Sequence, residues 1–92
     1  MEITVKKSFV KSLKLTPKNI QESVAKIIIP ALLNSDSLET SGLDYIKMAG
    51  TKKDENYYRI RLGDWRIGIE YIIPSVILIK ILSRGSIYKQ FP

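Results

Sequence analysis

Two hydrophobic periods divide this chain. Near its start Ile3 and Val5 alternate with Thr4 and Lys6, which predicts a short strand. Phe9, Val10 and Leu13 then share one helical face, so a helix is expected over 9–15, with Ser8 able to cap it. Thr16-Pro17 restarts the chain, threonine at the cap and proline in the first turn, where its missing N–H costs nothing. Ile20, Val24, Ile27, Ile28, Ala31 and Leu32 follow at three- and four-residue spacing, the apolar stripe of a second helix. Pro30 removes the hydrogen bond to the carbonyl of Lys26, so a kink or an early stop is expected there. A buried strand over 26–29 is the alternative. Asn34-Ser-Asp-Ser37 and Ser41-Gly42 carry loop chemistry, and so does the stretch 49–56 that follows a short apolar piece over 45–48.

Period two then takes over. Strands are predicted over 57–62, 65–73 and 76–83, joined by Gly63-Asp64 and by Pro74-Ser75. Links this short force antiparallel neighbours. Alternation places Tyr58, Ile60 and Leu62 on one face of the first strand, opposite Tyr57, Arg59 and Arg61. On the second, Trp65, Ile67, Ile69, Tyr71 and Ile73 oppose Arg66, Gly68 and Glu70. On the third, Ile77, Ile79 and Ile81 form the apolar set, with Lys80 and Arg84 opposite them beside Val76, Leu78 and Leu82. One face therefore packs on the helices. Trp65 and Tyr71 read as core, and Asp64 as a turn residue without catalytic duty. The stretch 86–92 has room for one helical turn at most.

Composition narrows the chemistry. With 92 residues, 45% of them apolar, the chain is expected to form one small domain over 1–92 with one modest core. It has no cysteine and no histidine, which excludes thiolate and imidazole metal sites, disulfides and a Ser-His-Asp triad. No apolar run approaches the ~20 residues of a membrane span, and the start lacks the basic-then-apolar form of a signal peptide. A cytoplasmic protein without membrane contact is the expectation.

Charge changes the picture more. Residues 1–44 carry six lysines against five acids, whereas residues 45–92 carry five lysines and four arginines against four acids. The first half is thus +1 and the second +5, and all four arginines lie in the second. The face opposite the core gathers Arg59, Arg61, Arg66, Lys80 and Arg84 around the small Gly68, with Glu70 its one clear acid. A solvated surface normally mixes signs, because like charges on neighbouring strands repel. Five cations on one face point to phosphate binding.

The run Tyr58-Arg-Ile-Arg-Leu-Gly-Asp-Trp-Arg-Ile, then Glu70-Tyr71, then Ser83-Arg84-Gly-Ser-Ile-Tyr88, resembles the RelE/ParE superfamily of toxin–antitoxin toxins. The resemblance spans nearly the whole chain. It implies an α+β fold: an antiparallel sheet with an N-terminal strand and a two-helix hairpin packed on one face. It further implies a type II toxin, a metal-independent and ribosome-associated endoribonuclease that cleaves mRNA and inhibits translation, needing no cofactor. Its partners would be a cognate antitoxin, forming a toxin–antitoxin hetero-oligomer, and the ribosome with its mRNA. A ParE-like toxin acting on DNA gyrase, or an inactive binding module of the same fold, is the alternative.

Carried over by position, Arg66 matches a phosphate-stabilising arginine, and Arg84 and Tyr88 match a C-terminal arginine and a base-stacking tyrosine. Arg59 and Arg61 stand where the archetype has two lysines, one of them a proposed general base. Arginine is not deprotonated in proteins and serves poorly in that role. Ser83-Arg84 replaces the His-Arg pair of many members, which removes any imidazole. The candidate catalytic set is Arg61, Arg66, Arg84, Tyr88 and Glu70, with Arg59, Lys80, Lys52 and Lys53 as RNA contacts. RNA brings its own nucleophile, the 2′-OH, and arginines aimed at the phosphate supply the charge stabilisation. Glu70 is either the base or a salt-bridge partner that spaces the arginines. Tyr88 either stacks on a base, donates a proton or packs in the core.

Overall fold

In a computed structural model of the protein, which describes residues 1–48 and 56–91, five strands form one sheet in the order β1-β5-β4-β3-β2. They are β1 (Glu2–Val5), β2 (Tyr45–Lys47), β3 (Tyr57–Leu62), β4 (Trp65–Ile72) and β5 (Ser75–Ser83). The first hairpin turns at Gly63-Asp64 as expected, and Gly63 takes the positive φ of 58° that its turn requires; the second turns one residue early, at Ile73-Pro74, so Ser75 opens β5 and Ile73, expected on the core face, is exposed. The sheet is α+β in setting but mixed in direction. β2, β3, β4 and β5 are antiparallel to their neighbours, whereas β1 runs parallel to β5. No tight hairpin links β1 to β5, so the hairpin rule that fixes the other strands does not apply to it.

Helices α1 (Lys7–Lys14), α2 (Lys18–Ser23) and α3 (Ile29–Leu33) lie between β1 and β2. Phe9, Val24, Ile28 and Leu32 are buried against Ile60, Ile67, Ile69, Val76, Leu78 and Ile81 of the sheet. Leu38, in the loop after α3, closes this core and is fully buried. Ser8 does not cap α1. Its hydroxyl donates to the carbonyl of Ile79 on β5, and the helix starts from Lys6 without a side-chain cap. Thr16 likewise turns back, donating to Leu13 O at 2.7 Å, and Pro17 occupies the position before α2.

Pro30 neither stops nor replaces the helix. A π-helical turn, Val24–Ile28, joins α2 to α3, and the N–H of Ile29 reaches back five residues to Val24 O. The widened turn comes immediately before the proline, which then sits in the first turn of α3. It also rotates the apolar stripe. Val24, Ile28 and Leu32 stay buried, but Ile27, expected on that stripe, is 57% exposed.

One further correction concerns β5. Gly68 pairs with Lys80, yet Ile69 pairs with Leu78, so Ile79 is an extra residue in the ladder. This bulge reverses the parity of the strand. Ile81 faces the core as expected, but before the bulge it is Val76 and Leu78 that are fully buried, rather than Ile77 and Ile79.

The C-terminal segment is longer than one turn. Helix α4 spans Arg84–Gln90, about two turns, because Ser83 takes an extended conformation before it and Arg84 N–H donates to Asp64 O at 2.9 Å. The β3–β4 turn thereby anchors α4. Among the described residues, no helix is long and apolar enough to cross a membrane.

Candidate functional site

β3 and β4 turn Tyr57, Arg59 and Arg61, and Arg66, Gly68 and Glu70, to the sheet face away from the core. The ladder sets Arg61 across from Arg66, Arg59 across from Gly68 and Tyr57 across from Glu70. That face is not open. Ile87 and Phe91, within and just after α4, are buried, and the ring of Phe91 lies on Gly68. A Cβ at Gly68 would stand 2.7–2.8 Å from that ring, so only glycine leaves room for it.

Phe91 divides the face in two. On the side of the β3–β4 turn, Arg59, Arg61, Arg66 and Tyr88 line a depression of about 290 Å³, walled by Asp44, Tyr45 and Ile46 at the start of β2. On the other side, Glu70 lines a separate depression with Lys6, Tyr57, Lys80 and Gln90. Glu70 therefore shares the arginines' strand face but not their pocket. Lys80, paired with Gly68 across the ladder, goes with Glu70. Lys52 and Lys53 lie outside the described residues. Arg84 is exposed at the first position of α4, and its charge reaches Tyr88.

Each arginine of the pocket is held differently. Arg66 is half-buried, and its Nη1 donates to Gly63 O at 2.7 Å and Trp65 O at 2.8 Å, which aims it along the turn. Arg61 is exposed and faces Asp44, with Nε to Oδ2 at 3.7 Å, and its backbone N–H donates to Asp44 O. An exposed pair at that distance contributes little to stability. Arg59 is the unusual one. Its guanidinium lies 4.4 Å from the centre of the Tyr88 ring, and its Nε and Nη1 are buried without a hydrogen-bond partner. A cation with unfilled donors out of water is costly, and an anion in the depression that Arg59 lines offsets part of that cost through its charge.

Tyr88 itself is 64% exposed, so it is not a core residue. A hydrogen bond from Arg59 and its positive charge pull the phenol below its ordinary value of 10, and Arg66 and Arg84 add to this. Trp65 and Tyr71 pack with the core as expected. The Tyr71 hydroxyl accepts the Leu38 N–H at 3.1 Å and donates to Glu39 at 3.3 Å.

Sequence reasoning missed the wall from β2 and the seat of Phe91. The first had only a short apolar piece to mark it. The second had a signal: a lone glycine amid a face of long side chains leaves a gap that something must fill.

The chain is 44% identical to the toxin RelE3 of Methanocaldococcus jannaschii over 92 residues, all of both chains. It matches a chain of the RelB–RelE antitoxin–toxin complex from Methanococcus jannaschii with a TM-score of 0.76 and 42% identity, covering 97% of this chain and 99% of that one. YafQ from E. coli, 13% identical, shares the fold with a TM-score of 0.70 over 95% of this chain and 97% of that one. No family model matches the chain.

Proposed function

The chain belongs to the RelE family of toxins, and we propose that it is the toxin of a type II toxin–antitoxin system whose arginine pocket binds and cleaves mRNA. The observation that carries this reading is Arg59. A guanidinium with two buried, unpartnered nitrogens sits beside Arg61 and Arg66 in one depression, whose one acid among the described residues is Asp44, facing Arg61 at the wall. Such a pocket selects a phosphate over neutral ligands.

The reaction needs only an RNA phosphodiester and this set. The 2′-oxygen attacks the adjacent phosphorus and the bond to the 5′-oxygen breaks, leaving a cyclic phosphate and a 5′-hydroxyl. Arg59, Arg61, Arg66 and Arg84 stabilise the charge that develops on the phosphoryl oxygens. Tyr88, its phenol lowered by Arg59, takes the 2′-OH proton, and solvent protonates the leaving oxygen. No step calls on a metal ion or cofactor. Glu70, in its own depression, has no part in it.

The partner follows from the relatives. A RelE-family chain with a pocket this basic is held silent in the cytoplasm by an antitoxin of the RelB kind, with acidic groups over the arginines. The ribosome presents the mRNA. Regulated expression without the antitoxin, followed by primer extension on a reporter transcript, tests the reading. Cleavage within codons, lost on Arg59→Ala, is the expected result. DNA damage with intact transcripts would replace it with a gyrase-directed toxin.

A further inference from the structure

From Ile3 to Gln21 the chain holds five lysines, Lys6, Lys7, Lys11, Lys14 and Lys18, and no acid, and all five side chains are exposed. Lys7, Lys11 and Lys14 recur at four- and three-residue spacing and so form one stripe along α1. The arrangement works against the helix. Like charges stand one turn apart, and Lys7 occupies the end of α1 where the helix dipole disfavours a cation, with no acid in the first turn to offset it. A stripe that served solubility alone would alternate signs.

The stripe is joined to the rest of the basic surface. Lys11 and Lys80 line a groove with the half-buried Leu82, the exposed Leu15 at its rim and Gln90 of α4. The same α4 carries Tyr88 into the arginine pocket, so pocket and groove lie on opposite sides of one short helix. The two surfaces also differ in chemistry. The pocket uses arginines, whose planar fork grips one phosphate in a fixed geometry, and α1 uses only lysines, compact mobile charges suited to many phosphates in any register.

We propose that Lys7, Lys11 and Lys14, with Lys80, form a docking ridge for RNA backbone, distinct from the arginine pocket and indifferent to sequence. The proposal rests on the RNA reading of the pocket only in taking RNA, rather than an acidic protein, as the polyanion. The ridge holds the strand beyond the scissile phosphate while the pocket acts on it.

The test measures binding of a labelled single-stranded 2′-O-methyl RNA, which lacks the nucleophile, across a salt series. Each phosphate neutralised on a single strand contributes about 0.7 to the slope of log affinity against log salt. The combined variant Lys7→Gln, Lys11→Gln and Lys14→Gln should therefore lose about 2 from that slope. Glutamine keeps the helix and the exposure, and an unchanged thermal melt verifies the fold. An unchanged slope in the variant, or wild-type protein without salt-dependent RNA binding, overturns the ridge. So does a variant that loses only its affinity for the antitoxin. A reduced slope in a protein that cleaves no transcript keeps the ridge and sinks the nuclease. Cleavage that persists with an unchanged slope keeps the nuclease and sinks the ridge.

Discussion

The hydroxyl of Ser12 on α1 accepts the backbone N–H of Ile81 on β5 at 3.0 Å. β1 pairs with β5 only as far as Leu78, so beyond that residue the outer edge of β5 has no strand beside it among the described residues. Helix α1 takes the place of the missing strand. Ser8 donates to Ile79 O and Ser12 accepts from Ile81, so two serines one turn apart satisfy the edge where the bulge breaks the ladder. Ser12→Ala should cost about 1–3 kcal/mol, the penalty of an unsatisfied backbone donor, measured by denaturant unfolding. A loss no larger than that of Ser23→Ala, on the exposed side of α2, would mean that water replaces the hydroxyl at no cost.

Gly68 is the seat of Phe91, and Gly68→Ala should unseat it. The added methyl collides with the ring at 2.7–2.8 Å, and the collision falls on the ring's near edge rather than on a free end. Overpacking of this kind costs about 1–3 kcal/mol. Amide exchange should accelerate over residues 84–91 while β3 and β4 keep their protection, and cleavage should fall with it because α4 positions Tyr88. Uniform acceleration across the sheet would show instead that α4 and the core open together.

Much of this was legible from the residue pattern. The strands expected over 57–62, 65–73 and 76–83, which match β3, β4 and β5 to within one residue at each end, and the arginine face follow from alternation and from two short turns, because period two admits few alternatives once a turn fixes its register. Three features were not. The π-helical turn before Pro30 and the bulge at Ile79 each insert one residue into a regular count, and a periodic pattern read without them assigns Ile27, Ile77 and Ile79 to the core. The third is α4. Its packing depends on Phe91 meeting Gly68, a contact 23 residues apart in sequence that no local pattern encodes. That one contact separates Glu70 from the arginines, which is why strand alternation alone placed both in a single site.

Tyr71 ties the alkaline limit of stability to the core. Burial, with smaller contributions from neighbouring Glu39 and Tyr58, raises its phenol above 10, while the Leu38 N–H pulls the other way. The folded state thus holds this proton more tightly than the unfolded chain. The stability that Tyr71 contributes is full below pH 10 and declines as pH rises from there through the raised folded value. Tyr71→Phe should flatten this decline, at a cost of about 1 kcal/mol at neutral pH for the lost hydrogen bonds to Leu38 and Glu39. An unaltered alkaline limb in urea melts would assign the decline to other groups.

Arg59 is a place where function and stability oppose each other. Its buried nitrogens lack partners, so Arg59→Met, which keeps the packing of the stem, should raise stability by about 1 kcal/mol or more. It should also lower single-turnover cleavage by about 10²–10³, the usual loss for one donor to a developing oxyanion. Arg66→Lys should keep only part of the rate, since an ammonium cannot reproduce the two-pronged guanidinium. Glu70→Gln should leave the rate unchanged. A large loss on Glu70→Gln would require the two depressions to merge when RNA binds.

The pH profile of cleavage should carry the signature of Tyr88. If the phenolate takes the 2′-OH proton, the single-turnover rate rises with pH until the phenol is fully ionised, then levels. Arg59, whose guanidinium lies over the ring, lowers the phenol most, and Arg66 and Arg84 add less, so this limb sits below pH 10. Arg59→Gln removes the largest of these influences and should move the limb toward higher pH, beyond lowering the plateau. Tyr88→Phe should abolish the limb while leaving RNA affinity near the wild-type value, since the arginines that hold the phosphate remain. Arg84→Gln should move the limb in the same direction but less, as the smallest of the three charges felt by the phenol. A limb unmoved by Arg59→Gln, together with full activity in Tyr88→Phe, would hand the proton to water and leave Tyr88 only its ring as a surface for the base.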